Sequence, residues 1–436
     1  MRRGERAAAP VLNAVRALRH RNFRLFFCGQ SISLIGTWMT RLATSWLVYR
    51  LTGSSVLLGV TSFASQIPSF VLGPVAGVWA DRWDRRRVLL ITQALAAAQS
   101  FTMAGLTLSG RITVAEIVWL SVFQGVVNSF DMPARQSFMV RMVNGREDLS
   151  NAIALNSTMV NGGRLLGPAI AGIIIAAVGE GDCFLIDGIS YFAVIASLFA
   201  MKVDSQPVGT TGSSLMVQLR EGWNYVSGFA PIRTVLISFA IVSFMGVPYT
   251  VLMPVFAARV LHGGAHTLGF LMGAAGVGSL VSAMALAARK SVRGLYRVIP
   301  IVAALFGCGL IAFSFSRNLW LSLALLTVTG FGMMQFASAS NTVIQTVVEE
   351  DKRGRVMSYY MMAYMGASPF GSLLAGSLAP VIGAPGTVML CGIGCLAGAS
   401  WFWIQLPKLR PLIRPIYERL GILPIAEDTP LPDERA

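Results

Sequence analysis

Apolar residues run along this chain in stretches of 18 to 25 that seldom carry a charge. About 20 apolar residues in a helix cross roughly 30 Å of hydrocarbon. Twelve segments reach that length: 24–50, 56–80, 88–109, 113–135, 150–178, 183–202, 232–257, 266–288, 298–316, 319–345, 355–381 and 385–407. Inside lipid each must satisfy its own backbone hydrogen bonds, so all twelve are predicted to be helices. A barrel would need strands of about 10 residues with alternating polarity, and none occur. The N-terminal apolar stretch is too long for a signal-peptide core and no A-x-A site follows it, so no cleaved leader is expected.

The polar intervals then organise the chain. The longest, 203–231, opens with the linker-like run Ser205-Gln-Pro-Val-Gly-Thr-Thr-Gly-Ser-Ser214. Leu215, Leu219, Trp223 and Val226 follow at helical spacing, which predicts a short amphipathic helix on the membrane surface. This break leaves six segments on either side. Leu166-Gly-Pro-Ala-Ile-Ala-Gly172 is echoed 204 residues later by Phe370-Gly-Ser-Leu-Leu-Ala-Gly376. Repeated six-helix halves with a binding site between them near the midplane are a transporter signature. The predicted organisation is a lead-in at 1–22, a six-helix bundle at 23–202, the linker at 203–231, a second bundle at 232–407 and a tail at 408–436.

Composition narrows the class. With 54% hydrophobic and 13% charged residues, the chain carries about half the charge of a soluble domain. That excludes a soluble enzyme, a disordered protein and a disulfide scaffold. Of the 35 Lys and Arg residues, 29 fall in the lead-in, the tail and alternate loops. The net charge of +15 is therefore a topology signal, placing both termini in the cytoplasm, and nucleic acid is not an expected partner. Five cysteines form no CxxC pair, no histidine lies within a segment beyond its first residue, and no lysine follows a glycine. No metal, no cofactor, no intramembrane hydrolase motif and no P-loop are expected.

The most specific motif is Gly77-Val-Trp-Ala-Asp81-Arg82-Trp-Asp-Arg85-Arg86-Arg87, between the second and third segments. It resembles the loop motif G-x-x-x-D-R-x-G-R-R of the major facilitator superfamily, with Asp84 where glycine is usual. Twelve segments, the six-plus-six split and the motif's position agree with that resemblance over about residues 20–408. Thr37-Trp-Met, Trp46-Leu-Val-Tyr-Arg-Leu-Thr52-Gly, Asp131-Met-Pro-Ala-Arg135-Gln, Asn151-Ala-Ile-Ala-Leu-Asn156-Ser and Arg353-Gly-Arg-Val-Met-Ser358 are similar to the branch holding the enterobactin exporter and macrolide efflux proteins. The resemblance implies an all-α integral membrane protein with two pseudo-symmetric bundles. It implies a multi-pass protein of the cell inner membrane, a monomer, that exports a small amphipathic or anionic molecule by proton antiport with alternating access. A lipid or lysolipid flippase on the same fold is the alternative. The loop motif, Gly77, Asp81, Arg82, Arg85 and Arg86, then reads as a cytoplasmic gate, with Asp81 facing the start of the eleventh segment near Arg355. Asp131 and Arg135 would extend its charge network. Gly163-x-x-x-Gly167-Pro168-x-x-x-Gly172 resembles the exporter Gly-Pro motif. Three further GxxxG pairs, starting at Gly73, Gly269 and Gly394, read as packing.

Two arginines stand inside segments. Arg41 is about 17 residues into the first and Arg164 about 14 into the fifth, roughly 25 and 20 Å from the cytoplasmic ends. An unpaired arginine near the bilayer centre costs about 2.5–3.5 kcal/mol even on the lenient insertion scale. Both lie on polar stripes: Gln30, Ser33, Thr37, Arg41 and Thr44 in the first segment, and Ser157, Asn161, Arg164 and Pro168 in the fifth. Two readings stand open, contact with an anionic substrate and, for Arg41, an ion pair with Asp187. The fourth segment adds the stripe Gln124, Asn128, Asp131 and Arg135. The substrate-binding candidates are thus Arg41, Asn128, Asn161 and Arg164, with Tyr249, Gln335, Tyr360 and Tyr364 from the second half. Asp187 and Asp131 are the candidate proton carriers.

Overall fold

The computed structural model describes residues 15–143, 145–202, 215–289, 291–350 and 352–422. Within them, the side chains of residues 74, 75, 77–82, 146 and 215–219 lie outside the description. Every regular element among the described residues is helical. After a 3₁₀ turn at Arg16–Arg19, α1 spans Arg21–Thr52, α2 Ser55–Arg82, α3 Arg85–Leu108, α4 Val114–Val140, α5 Arg146–Val178 and α6 Glu180–Ala200. The short α7 is Leu215–Gly228 and α8 is Ala230–Met245. Next come α9 (Ala265–Ala287), α10 (Leu295–Phe315) and α11 (Leu319–Val347). The last stretch, Arg353–Arg419, is two helices meeting at Gly383. We call them α12 (353–382) and α13 (384–419).

The predicted segments match these helices closely, because a bilayer-length apolar run has few alternatives. Two differences are local. The expected helix 232–257 stops at Met245, and a 3₁₀ turn at Val247–Leu252 and a π turn at Phe256–Val260 carry the chain onward. Gly246 opens this stretch, and Pro248 and Pro254 each remove a backbone donor. The predicted gap between the last two segments falls at Gly383, whose φ of 77° supplies the left-handed residue that splits α12 from α13. The second difference is that the last helix runs past 407, the predicted end of its apolar segment. Helix α13 continues to Arg419, with Leu409, Ile413 and Tyr417 buried at i, i+4 and i+8 against the second set of helices. Residues beyond 422, expected to lack order, fall outside the described residues.

Nine stretches among the described residues are long and apolar enough to cross a membrane, counting Arg353–Arg419 once. Helices α1 and α4 are not among them, although they are 32 and 27 residues long. They carry two of the three predicted polar stripes. Polar residues lower the mean hydropathy of a helix whose interior face lies against protein and not lipid.

Within the first six helices, α1 packs on α5 and α6, α2 on α4, and α3 on α4 and α6. In the later set, α9 packs on α11, α10 on α11 and α13, and α8 on the α12–α13 pair. Two helix pairs join the sets: α5 with α9, and α2 with α12. Both joints rest on facing glycines. A Cβ on Gly172 would lie 2.9 Å from the Ala265 carbonyl oxygen and 3.0 Å from Gly269 Cα. A Cβ on Gly376 would lie 2.7 Å from the Ser55 carbonyl oxygen and 2.9 Å from Gly59 Cα. Gly172 and Gly376 are the equivalent residues of the internal echo, so the repeated motif supplies one glycine to each joint. Gly269 therefore packs as predicted. Gly394 also packs, against Met245, whereas a Cβ on Gly73 would meet nothing within 4 Å, and its partner Gly77 lies outside the described side chains.

The start of α3 explains the unusual Asp84. Its side chain accepts hydrogen bonds from the backbone N–H groups of Arg86 (2.9 Å) and Arg87 (3.3 Å), so it is the N-cap. Glycine, usual at this place in the motif, is the other residue type that caps well. Asp84→Ala should therefore lower stability by about 1 kcal/mol, and Asp84→Gly by only a few tenths. Thermal unfolding of the detergent-solubilised variants checks this; equal losses for both would show that the cap contributes nothing.

Candidate functional site

The two embedded arginines come together. Trp38, one turn before Arg41 on α1, holds the Arg41 guanidinium carbon 4.8 Å from its ring centroid and that of Arg164 5.8 Å away. Glycines of α5 make this possible. A Cβ on Gly167 would lie 2.5 Å from Trp38 Cβ and 2.9 Å from the Ile35 carbonyl oxygen, and one on Gly163 3.3 Å from Trp38 Cδ1. The Gly-Pro motif thus has two faces. Gly163 and Gly167 seat α1 and its tryptophan, while the Pro168 carbonyl and Gly172 meet Gly269 of α9.

Neither guanidinium has an ion pair or hydrogen bond with protein among the described residues. Arg41 is exposed and Arg164 half-buried despite their mid-helix positions. Both arginines thus keep accessible surface at mid-helix depth. From the later helices, Tyr364 lies within electrostatic range of Arg41, and Tyr249 within range of Arg164 and Tyr364. Tyr364 stacks at its ring on Phe239 (5.7 Å) and Tyr249 on Phe306 (6.2 Å). Both sets of helices contribute to one cluster: Trp38, Arg41 and Arg164 from the first, Tyr249 and Tyr364 from the second.

The other substrate candidates are engaged elsewhere. Asn161 is buried and its Nδ2 donates to the Ser157 carbonyl of its own helix (2.8 Å). Asn128 Oδ1 accepts from Gln124 Nε2 (3.2 Å). Gln335 Oε1 accepts from Ser282 Oγ (2.8 Å), tying α11 to α9. Tyr360 is buried, stacks on Phe239 at 4.5 Å and donates its hydroxyl to the Ala337 carbonyl (3.0 Å). Gln30 and Ser33, read as part of the α1 stripe, are buried as well. Helical periodicity places a residue on a face. It does not say what that face meets.

Asp187 is not the partner of Arg41. Its Oδ2 accepts from Thr40 Oγ1 (2.8 Å) and Ser100 Oγ (3.0 Å), while Oδ1 has no hydrogen-bond partner. Thr40 and Arg41 are adjacent, but successive residues of a helix point about 100° apart. One therefore meets Asp187 and the other meets Trp38. Asp131 is buried too, accepting from Thr92 Oγ1 (2.9 Å) and Gln93 Nε2 (2.8 Å) of α3 and pairing with Arg135 at 3.4 Å.

At the arginine-rich end, Gly77, Asp81 and Arg82 belong to the last turns of α2, and their side chains lie outside the described residues. Arg85 is half-buried at the start of α3, and Arg86 donates to the Phe199 carbonyl of α6 (3.2 Å). Arg355, expected to face Asp81, pairs with Glu221 of α7 at 3.0 Å. Trp223 of α7 meets Tyr359, and Lys352 lies over Tyr225. The linker helix is therefore latched to the start of α12. Before α1, Arg16 and His20 pair with Glu147 and Asp148 at the start of α5.

The opposite end is held by contacts between the two sets of helices. Arg259 donates to the Gly53 carbonyl (3.2 Å) and lies over Tyr49, while Ser55 Oγ donates to the Gly376 carbonyl (3.1 Å). A cavity of about 480 Å³ opens beside them, lined by Trp46, Arg50, Ile175, Glu180 and His266. Across it Arg50 makes a two-pronged pair with Glu180, at 2.7 and 3.1 Å.

Residues 13–412 match the family model described as transmembrane secretion effector. The chain belongs to that family. It is thereby a transport protein of the major facilitator superfamily, as the loop motif implied. Among its relatives is the staphyloferrin A transporter of Staphylococcus aureus (strain NCTC 8325 / PS 47), 26% identical over 89% of this chain and 97% of the relative. The multidrug efflux pump Tap of Mycolicibacterium fortuitum is 25% identical over 86% and 93%. Macrolide efflux protein A of Streptococcus pyogenes is 21% identical over 86% and 95%. Among solved structures, a POT family transporter in complex with 5-aminolevulinic acid superposes with a TM-score of 0.72 at 12% identity, covering 89% of this chain and 96% of that one. At that identity the likeness shows the fold alone.

The residue missed from the sequence alone is Trp38. It appeared there only within a branch marker, yet its spacing of three from Arg41 is the signal for a ring–cation contact on one helix face.

Proposed function

We propose that this protein is a secondary exporter of a small anionic or amphipathic molecule, working by alternating access at the Trp38–Arg41–Arg164 cluster. The observation carrying this reading is that two guanidiniums, deep within helices and without protein partners, share one indole and are approached by tyrosines from the other set of helices. In this reading the chain crosses the cell inner membrane twelve times as a monomer, with α1–α6 and α8–α13 as two bundles. The arginine-rich loops and both termini are cytoplasmic. The arrangement described here is then closed on the outside, where Gly172 meets Gly269 and Gly59 meets Gly376. Rocking about those joints would expose the cluster to the exterior.

Proton antiport needs a group that holds and releases a proton as the bundles switch. Asp187 suits this role, because its donors are hydroxyls and no cation must be displaced. The loop motif, with Asp81, Arg85 and Asp131, is proposed as the gate on the cytoplasmic side.

Reconstitution tests the whole reading. In liposomes with an imposed pH gradient, the protein should move a soluble solute such as a labelled siderophore, and faster with the gradient than without. Movement of labelled lysolipid with no movement of soluble solute would replace the exporter with a flippase.

A further inference from the structure

We propose that the cluster is built for a dianion, a small molecule carrying two negative charges, and that it rejects cations. This rests on the exporter reading for its location and adds the chemical class of the ligand.

The charge count carries it. Arg41 and Arg164 bring two positive charges to the flanks of one indole. No carboxylate among the described residues pairs with either. The acidic side chains nearest along the neighbouring helices are already engaged: Asp187 by Thr40 and Ser100, and Asp131 by Thr92, Gln93 and Arg135. The later helices bring neutral phenols and no acid, Tyr249 and Tyr364.

Trp38 offsets only part of the repulsion, because a ring quadrupole attracts each cation weakly compared with a full negative charge. Two like charges on one indole remain uncompensated by protein until a ligand brings two negative charges. A monoanion neutralises one guanidinium and leaves the other. A cation adds a third like charge. The planar guanidinium also favours groups that accept two parallel hydrogen bonds, which carboxylates and phosphates do. Tyr249 and Tyr364 of the second bundle, within electrostatic range, add no charge that would neutralise either arginine.

The test is binding to purified protein in detergent. The probes are linear dicarboxylates from succinate to sebacate, hexyl phosphate as a single dianionic head, hexanoate as a monoanion and hexyltrimethylammonium as a cation. The expected result is that one or more dianions bind at least about tenfold tighter than hexanoate, with no binding of the cation. Arg41→Gln and Arg164→Gln should each cost the best dianion about 10- to 100-fold, the usual loss when one side of a charge-assisted contact is removed. Hexanoate should then bind the variants and wild type within a few-fold of each other. If a glutamine variant is not monodisperse, the corresponding lysine variant keeps the charge and should retain part of the preference for dianions.

A preference for the dicarboxylates over hexyl phosphate would assign two separate acidic groups, one to each guanidinium. The reverse would assign one shared head group. Equal binding of hexanoate and every dianion, or tightest binding of the cation, would overturn the proposal. Failure of the transport reading shows differently: dianions bind in detergent but nothing crosses the liposome. Flux of neutral solutes without dianion binding would instead retain the exporter and discard the dianion site.

Discussion

Asp187→Asn should abolish pH-driven accumulation of substrate while leaving the protein folded. A pH unit is worth about 1.4 kcal/mol per proton, so an exporter exchanging one proton per substrate accumulates about tenfold for each unit imposed. The variant should reach equal concentrations on both sides whatever the gradient. Asparagine keeps the shape and an acceptor oxygen for Thr40 and Ser100, whose hydroxyls now hold Oδ2 at 2.8 and 3.0 Å. It cannot carry a proton. The surroundings contain no substitute in direct contact: Cys183 and Tyr191 lie a turn away on α6, α3 presents Gln99 and Ser100, and Arg41 on α1 turns toward Trp38. Because Oδ1 has no hydrogen-bond partner to lose, the thermal midpoint should move by no more than a few degrees. Counterflow, exchange of labelled for unlabelled substrate without a gradient, should persist. Unchanged accumulation in the variant would remove Asp187 from coupling and return the role to another carboxylate.

Gly172→Leu should have the other large effect. No side chain fits where a Cβ would stand 2.9 Å from a carbonyl oxygen and 3.0 Å from Gly269 Cα. Overpacking of this kind costs about 1–3 kcal/mol. If the cost falls on one arrangement of the bundles, it shifts their balance roughly 5- to 150-fold. Transport should fall accordingly. The site should become more open at the arginine-poor end, and Gly376→Leu at the echoed position should do the same. A cysteine at the buried Ser55, with the exposed Cys28 and Cys308 replaced by serine, reports this by reaction with a membrane-impermeant maleimide. Gly73→Leu is the control, since nothing lies within 4 Å of that glycine. Equal labelling in Gly172→Leu and in the control would mean that the glycine joint does not set the closed arrangement.

These expectations draw unequally on sequence and structure. The helices were legible because bilayer-length apolar runs have one hydrogen-bonding solution. Their breaks were less so. Gly246, Pro248 and Pro254 were visible as residues, but how the chain continues past them depends on Phe256 and Arg259 finding partners in other helices. The echo at Gly172 and Gly376 was visible as a pattern. Its use, one glycine in each joint between the bundles, was not.

The candidate site shows the same division. That Arg41 and Arg164 need compensation follows from their depth in apolar segments. Which groups answer that need does not. Asp187 was at the right depth for Arg41, yet a rotation of one residue along α1 gives it Thr40 instead. Asn161, Gln335 and Tyr360 sat on polar faces but spend their hydrogen bonds on neighbouring backbone and side chains.

By itself the sequence determined the membrane class, the number of apolar segments, the superfamily and the presence of two costly charges, because these depend on composition and on distance along one chain. The tertiary structure alone decided that the two charges share Trp38, that Asp187 stands apart from them and that tyrosines from the second set of helices complete the cluster. Most of those contacts join residues far apart in the chain, and the rotation of each helix about its own axis, fixed by glycine-to-backbone packing, chooses which side chains meet.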